Sequence, residues 1–185
     1  MLEPLRQTDP SWTTSESPAH GFVECATWAD EIKKLGAYWQ SNWHFVNQPF
    51  FNEGGSLDDY PDFKLDPHNI TDIVPNLVDW FNGVPGYENG YAYQTIMNHT
   101  YKVHTEEVGK SMAIRFLIHY VGDFQQPLHC TTLVNNEFPK GDRGGNSFKL
   151  PAEDQKELHA VWDSVSLEFA NTGYANLPFS QQDWD

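Results

Sequence analysis

Two histidine–aspartate pairs in this sequence have residue types and a spacing that could bind a metal ion. His119 precedes Asp123 by four residues, and His159 precedes Asp163 by four. Side chains four apart on an α-helix lie on the same face, one turn from each other. Zinc accepts imidazole nitrogen and carboxylate oxygen, and a catalytic zinc keeps one position open for water. Each pair could therefore hold one zinc ion for metal-assisted hydrolysis.

The surroundings of the first pair favour metal binding over a solvated ion pair. One such pair carries little weight alone, because exposed pairs at this spacing are common. The helix positions beside it, however, are apolar: Leu117, Ile118 and Val121. Unpaired polar groups on an apolar helix would be costly. His119 and Asp123 therefore need a partner.

Apolar periodicity predicts a first helix ahead of these pairs. Apolar residues recur at three- and four-residue steps over 26–39. This pattern predicts an amphipathic helix that starts near Glu24 and ends in the aromatic run 38–45. Asp30 and Lys33 would lie one turn apart on it.

Two further helices are expected in the middle of the chain. One covers 71–81 and stops at Asn82-Gly83, and Pro75 could interrupt it. The other covers 91–101. Between the first helix and these two, residues 46–68 contain glycines and prolines without a sustained period, which predicts a long ordered loop.

The helix of the first His–Asp pair has the clearest boundaries. Thr105 is a good N-cap, and the helix should end near Gln126 because Pro127 disfavours helix in the residue before it. Residues 131–150 are rich in glycine and predict a loop or a short hairpin. The second His–Asp pair falls on a last helix over 152–170.

Composition sets limits on the partners of the chain. A length of 185 residues suits one domain. The formal charge of −15 would repel a polyanion, and eleven basic residues cannot supply a phosphate track. A cluster of divalent cations can reverse the local potential where a phosphate docks. No apolar run is long enough for a membrane span, and the first twenty residues lack the apolar core of a signal peptide.

Two cysteines and two glycosylation sequons leave alternatives open. Cys25 and Cys130 could pair if the metal site brings them close, or could be two buried thiols. The sequons at 69–71 and 98–100 would suit a secreted glycoprotein, but thirteen Asn make chance matches common.

Five segments occur in an order known from one protein family. They are WADEIK (28–33), WHF (43–45), HYVGDFQQPLH (119–129), GDRGGN (141–146) and LHAVWD (158–163). Together they resemble the zinc-dependent S-one/P-one type nucleases of fungi, plants and protists. The resemblance covers roughly residues 24–170. Five motifs in the family's order are a far stronger signal than any one of them.

The resemblance implies a fold, a reaction and a location. The fold would be all-α, a mainly helical phospholipase C/P-one nuclease-like fold with long loops, with residues 21–185 as the nuclease domain after an irregular segment over 1–20. Three zinc ions would serve hydrolysis of single-stranded DNA and RNA to 5′-phosphorylated products and of 3′-nucleotides. The partner would be single-stranded nucleic acid or a nucleotide, with no membrane, and the protein would be a monomer. Its location would be secreted or vacuolar/lysosomal.

The family's zinc ligands fall on seven positions of this chain. One zinc would be bound by four residues, of which the last bridges to a neighbouring zinc: Asp30, His44, His119 and Asp123. Another would be bound by His129, His159 and Asp163. The other histidines are expected to be surface or structural residues: His20, His68, His99 and His104.

The resemblance also implies roles in catalysis and substrate binding. Asp30 would orient the attacking water, and Lys33 would stabilise the transition state, unless it is a solvated helix cation. Phe45 resembles the aromatic residue on which a nucleobase stacks, although core packing explains a Phe nearly as well. Asn47 stands where the family often has a base-contacting Asp, which leaves the base preference open.

The sequence departs from the family pattern at both ends. The family begins with a Trp-Gly segment and a nearby His that complete the third zinc, and residues 1–20 do not align with it. Only Asp123 would remain for that zinc. The chain also ends at Asp185, before the closing helices of the family, so we expect a sequence truncated at both ends.

Two other functions fit parts of the pattern. A zinc-dependent phospholipase C shares the ligand scheme, but the segments 28–30 and 142–146 favour the nuclease. A non-catalytic remnant that binds zinc for structure, or not at all, is the second alternative.

Overall fold

The computed structural model describes residues 2–8, 21–99, 103, 105–151 and 157–163. These ranges are mostly helical, which confirms the all-α fold class. The α-helices are α1 Glu3–Thr8, α2 Gly21–Glu31, α3 Ile70–Asn82, α4 Tyr91–His99, α5 Glu106–Asp123, α6 Pro127–Cys130 and α7 Leu158–Asp163. The described ranges also contain two short strands, β1 Gln48–Phe50 and β2 Thr131–Leu133, and 3₁₀ helices at Ile32–Leu35, Tyr38–His44, Leu57–Asp59 and Tyr87–Asn89.

The contacts of the chain divide it into two compact units. The first unit comprises Met1–His44 and His68–Asp123, and the second comprises Phe45–Pro67 and Phe124–Asp185. The assignment of 21–185 to one nuclease domain stays a prediction.

Helix α5 is the centre of the first unit. It packs against α1, α2, α3 and α4. The ring of Trp28 meets that of Phe116 at a centroid distance of 4.9 Å, and both side chains are fully buried. Burying an aromatic side chain of this kind stabilises the fold by about 1.5–3 kcal/mol. The core thus holds α2 and α5 side by side.

The predicted start of α5 is confirmed, and its end differs slightly. The backbone N–H of Val108 donates to the hydroxyl of Thr105 at 3.3 Å, as an N-cap requires. The helix ends at Asp123 rather than near Gln126. Pro127 then begins the short helix α6, where its missing N–H costs nothing.

The first predicted helix is interrupted at a position that the apolar periodicity does not indicate. Helix α2 ends at Glu31, a 3₁₀ helix covers Ile32–Leu35, and Gly36 follows in the left-handed conformation with φ of 99°. A residue with a left-handed backbone ends a right-handed helix, and glycine adopts this conformation readily because it has no Cβ to clash. The aromatic run forms a second 3₁₀ helix, Tyr38–His44. The expectation of one continuous helix was therefore wrong.

The two middle helices match their predictions. Helix α3 is capped by Asn69 at its start and by the left-handed Gly83 at its end, and it continues through Pro75. The stabilisation from burying one face of α3 outweighs the backbone hydrogen bond that the proline cannot donate. The buried residues of this face are Ile70, Ile73, Leu77 and Trp80. Helix α4 covers 91–99, and the predicted residues 100 and 101 lie outside the described ranges.

The second unit contains strands that the sequence did not indicate. β1 pairs with β2 in parallel, with Gln48 opposite Thr131 and Phe50 opposite Leu133. The long ordered loop expected over 46–68 contains β1, and the loop or short hairpin expected over 131–150 instead contributes β2 to this parallel pair. Strands of three residues are too short to show alternation, so periodicity could not reveal them.

The ends of the chain also differ from expectation where the structure describes them. The segment 1–20 was expected to be irregular, yet Glu3–Thr8 forms α1, with Leu5 fully buried and its N–H donating to the Ser111 hydroxyl at 3.2 Å. The last helix covers Leu158–Asp163. Glu157, also within its predicted range, forms an isolated β-bridge with Lys149 instead, and 152–156 and 164–170 lie outside the described residues.

Among the helices that the structure describes, none combines the length and apolar character needed to cross a membrane.

We expect two glycines of α5 to respond oppositely to alanine. A Cβ at Gly109 would lie 2.7 Å from the sulfur of Met97 and 2.9 Å from the ring of Trp80, whereas a Cβ at Gly122 would meet nothing within 4 Å. Gly109→Ala should destabilise the protein by about 1–3 kcal/mol through overpacking. Gly122→Ala should stabilise it by up to about 1 kcal/mol through helix propensity. Urea unfolding followed by circular dichroism measures both, and equal stabilisation would contradict the packing.

Candidate metal centres

Four predicted ligands come together in the first unit. Asp30 lies near the end of α2, His44 ends the second 3₁₀ helix, and α5 presents His119 and Asp123 one turn apart. We call these four residues the first cluster. Its two histidines are buried, whereas the side chain of Asp30 is 59% exposed.

The ligand atoms of the first cluster face one another at short range. One ligand atom from each of Asp30, His44 and His119 lies within 4.8 Å of the other two. A carboxylate oxygen of Asp123 lies 2.7 Å from Nδ1 of His44 and 3.1 Å from Nε2 of His119. The two imidazole nitrogens are 3.1 Å apart. The pair His119–Asp123 has the geometry expected of its spacing.

This donor set fits a zinc ion. Nδ1 of His119 lies 2.6 Å from the carbonyl oxygen of Ala26, and a carbonyl only accepts, so Nδ1 carries a proton and, in the neutral ring that binds a metal, Nε2 has the lone pair. That lone pair points at a carboxylate and at a second imidazole nitrogen. Acceptors this close repel one another unless a cation lies between them. Imidazole and carboxylate are ligands that zinc prefers.

The pKa values in the first cluster reflect this crowding. Burial would raise the pKa of Asp123, but the close contact with His119 and His44 outweighs it and holds the pKa well below its usual range. Burial lowers the pKa of His44. The pKa of His119 is raised, because contact with Asp123 outweighs burial. Both acids of the cluster are ionised at neutral pH: partial desolvation by the surrounding protein would raise the pKa of Asp30, but the hydrogen bond from Lys33 and the nearby histidines lower it.

Lys33 accompanies the first cluster on the 3₁₀ turn after α2. Its ammonium donates to a carboxylate oxygen of Asp30 at 2.8 Å, and the Lys33 side chain is 21% exposed. This position differs from that of a solvated helix cation, because the charge lies against a cluster residue. The catalytic role of Lys33 stays a prediction.

The other three predicted ligands come together in the second unit. His129 of α6 and His159 and Asp163 of α7 offer ligand atoms within 4.8 Å of one another. We call them the second cluster. The two imidazole rings stack at a centroid distance of 5.0 Å. Nδ1 of His159 donates to the carbonyl of Gly144 at 2.6 Å, which leaves its Nε2 for a metal.

The segment 141–146 positions the second cluster, a role that its residue types alone did not reveal. Asp142 is buried, and its carboxylate accepts from the Thr132 hydroxyl at 3.0 Å and from the Leu133 N–H at 2.9 Å. These bonds tie the loop to β2. The glycine that follows Arg143 then places its carbonyl against His159. Only the recurrence of glycine in the segment could have signalled such close backbone packing.

The predicted substrate contacts lie beside the second cluster. The ring of Phe45 is half-buried, 4.7 Å from that of His129 and 6.3 Å from that of His159 between centroids. Asn47 has a left-handed backbone with φ of 55°, and the N–H of Val46 donates to the carbonyl of His129 at 2.8 Å. Base stacking on Phe45 and base contact by Asn47 stay predictions.

A third histidine–aspartate pair at the same spacing belongs to no cluster of three potential metal ligands among the described residues. Nδ1 of His68 lies 3.2 Å from a carboxylate oxygen of Asp72, and the His68 ring stacks on Tyr91 at 3.5 Å. Within the described ranges this pair belongs to neither group of three potential ligands. Spacing alone therefore does not select a metal site. The histidines at 20 and 104, and the side chain of His99, lie outside what the structure describes.

Comparison with known proteins identifies the source of these motifs. A family model described as S1/P1 Nuclease matches residues 2–184. The chain belongs to the S1/P1 nuclease family. It is 33% identical to Endonuclease 3 of Arabidopsis thaliana over 163 residues, which are 87% of this chain and 47% of that protein. It is 26% identical to Nuclease P1 of Penicillium citrinum over 159 residues, 83% of this chain and 48% of that protein.

The chain spans about half the length of these curated relatives. Membership of the S1/P1 nuclease family confirms the predicted resemblance. The family is generally zinc-dependent, and both clusters offer histidine and aspartate ligands of the expected kind.

Gly144 offers a test of the second cluster. Its φ is 60°, and a Cβ there would lie 2.1 Å from the carbonyl oxygen of Leu128, the residue before His129. Gly144→Ala should displace this backbone and weaken zinc binding at the second cluster by about 10- to 100-fold, as loss of a ligand's orienting partner does. Gly54→Ala is the matched control: φ is 78° and the space is open. Zinc titration calorimetry compares the two, and equal affinities would contradict the role of the loop.

Proposed function

We propose that this protein is a zinc-dependent endonuclease that hydrolyses phosphodiester bonds of single-stranded DNA and RNA to 5′-phosphorylated products, with 3′-nucleotidase activity. The observation that carries the proposal is the first cluster: acceptor atoms of His44, His119 and Asp123 converge within 3.1 Å in a chain of the S1/P1 nuclease family. The metal ligands would be Asp30, His44, His119 and Asp123 at one site. At the other they would be His129, His159 and Asp163.

Zinc, when bound, would polarise the scissile phosphate and lower the pKa of a water molecule towards neutrality. The residues of the chain would supply orientation and charge. The exposed, ionised carboxylate of Asp30 can accept a hydrogen bond from the attacking water and hold it in line. The ammonium of Lys33, 2.8 Å from that carboxylate, can donate to a phosphate oxygen that gains charge in the transition state.

Substrate binding would rely on stacking more than on basic side chains. The chain has 26 acidic and 11 basic residues, so its overall charge opposes a polyanion. Bound cations would reverse this field locally. Stacking of a base on Phe45 would add about 1–3 kcal/mol, with little dependence on base identity. Such binding suits unpaired strands, because bases in a duplex are already stacked on their neighbours.

A substrate panel tests the proposed reaction. We expect cleavage of single-stranded DNA and RNA oligonucleotides well above cleavage of a DNA duplex, with 5′-phosphates on the products, and loss of activity with a chelator. Mass spectrometry of the products and of bound metal provides the measurement. Phosphocholine release from phosphatidylcholine without nucleotide release would instead support a phospholipase C. Zinc binding without either activity would support a structural remnant.

Two aspartates, each four residues after a histidine, test whether activity requires the first cluster in particular. Asp123→Ala removes a proposed metal ligand. Loss of only the hydrogen-bond partner of a metal ligand reduces activity by about 10- to 100-fold, so we expect a larger reduction of nuclease activity here. Asp72→Ala removes the same side chain from the His68 pair and should leave activity near that of the unchanged protein. Initial rates on a single-stranded oligonucleotide compare them. Equal rates for both variants would remove Asp123 from the site.

The proposal extends to the cellular location of the protein and to its covalent modifications. We infer a secreted or vacuolar/lysosomal protein and a monomer. The Asn69 carboxamide accepts hydrogen bonds from the N–H of Thr71 at 2.9 Å and from its hydroxyl at 2.6 Å, so it already caps α3. Glycan attachment at this sequon and pairing of Cys25 with Cys130 stay predictions. A third zinc would have Asp123 as its ligand from this chain.

A further inference from the structure

We propose that Gln40, held by Tyr120, is a positioning residue that fixes His44 in the tautomer able to bind zinc through Nδ1. This inference rests on the proposed metal site. All three side chains lie in the first unit and are essentially buried: Gln40 and Tyr120 are fully buried, and His44 is 1% exposed. Water therefore does not compete for their polar atoms, and the hydrogen bonds among them decide the tautomer.

The orientation of the Gln40 amide follows from its contact with α2. One of its terminal atoms lies 2.7 Å from the backbone carbonyl oxygen of Ala29. A carbonyl oxygen has no proton to donate, so the amide must present its NH₂ group there. The other terminal atom of the Gln40 side chain is therefore its oxygen.

This amide oxygen serves two donors at once. The hydroxyl of Tyr120 lies 2.6 Å from it and donates its proton, because the amide oxygen has none. Nε2 of His44 lies 2.7 Å from the same oxygen. Nε2 must therefore carry a proton too. A neutral imidazole carries one proton, so Nδ1 of His44 has a lone pair.

The lone pair on Nδ1 points into the first cluster. Nδ1 lies 2.7 Å from the Asp123 carboxylate, 3.1 Å from Nε2 of His119 and 3.7 Å from the Asp30 carboxylate. The opposite tautomer could donate from Nδ1 to the Asp123 carboxylate, but it would direct two acceptors, Nε2 and the Gln40 oxygen, against each other in a fully buried site. It would also place a proton where the metal must bind. Gln40 thus excludes the tautomer that cannot act as a ligand.

His44 differs in this respect from two other proposed ligands. His119 and His159 are oriented by the backbone carbonyls of Ala26 and Gly144, which no side-chain substitution removes. The orientation of His44 depends on a side-chain amide. Substitution of Gln40 can therefore change a zinc ligand while the ligand residues themselves stay in place.

Nitrogen NMR on the unaltered protein tests the tautomer directly. With ¹⁵N-labelled histidine, we expect Nε2 of His44 to have the shift of a protonated nitrogen, with and without zinc. Nδ1 should have the shift of an unprotonated nitrogen that moves when zinc is added. A protonated Nδ1 in the neutral ring, or zinc-dependent movement at Nε2 instead, would overturn the inference. If no zinc binds at all, the proposed function fails instead, and the shift of Nε2 still reports the role of Gln40.

Three variants test the role of the amide. Gln40→Leu keeps similar bulk and removes the acceptor, so zinc affinity at the first cluster should fall by about 10- to 100-fold. Gln40→Glu keeps an acceptor for Nε2 and, with a proton on the carboxyl oxygen that faces the Ala29 carbonyl, should preserve the tautomer and zinc binding. Tyr120→Phe keeps the ring and removes one donor, so its effect should be smaller than that of Gln40→Leu. Zinc titration measures each, with the second cluster as an internal reference.

The results distinguish positioning from a general loss of structure. Circular dichroism of the metal-free variants reports folding separately from metal binding. A folded Gln40→Leu protein with unchanged zinc affinity at the first cluster would overturn the inference, as would an equal loss at both clusters. If Gln40→Leu does not fold, the nitrogen shifts of His44 in Tyr120→Phe and in Gln40→Glu test the inference. A protonated Nε2 in both variants would support it, and an unprotonated Nε2 in the neutral ring would overturn it.

Discussion

The described structure of the first unit depends on one electrostatic constraint: buried acceptor atoms that face one another need a cation. Two imidazole nitrogens and a carboxylate oxygen lie within 3.1 Å of one another at His44, His119 and Asp123. Leaving such groups unpaired in a buried site would be costly. The aromatic packing between α2 and α5 keeps these side chains from moving apart. The core thus creates the repulsion that a bound metal would relieve.

Each histidine whose outer contact is described reaches its metal-facing orientation through the opposite ring nitrogen. Backbone carbonyls serve His119 and His159, and the Gln40 amide serves His44. Backbone carbonyls are accessible only where the chain approaches closely, which explains the glycines at 144 and 145 beside His159. Local backbone geometry and metal chemistry are therefore linked in the same residues. Chemistry at Asp30 and Lys33 would take place at the more exposed edge of such a site.

Much of the helical fold could be predicted from local signals. Thr105 begins α5 and Gly83 ends α3 as capping rules require. The failures have equally physical causes. Gly36 ends the first helical segment through its left-handed backbone, which apolar periodicity does not record. β1 and β2 pair across a long sequence separation and are three residues each, so no local pattern marks them.

The sequence by itself determined the ligand types, their helical spacing and, through five ordered motifs, the family. It could not determine which histidine–aspartate pairs meet further potential metal ligands, because His68–Asp72 has the same spacing as His119–Asp123. Only the tertiary structure decided this, by bringing His44 to Asp123 across 79 residues of sequence. It also decided which imidazole nitrogen faces the cluster. A tautomer depends on the groups that surround both ring nitrogens, and those groups come from distant parts of the chain.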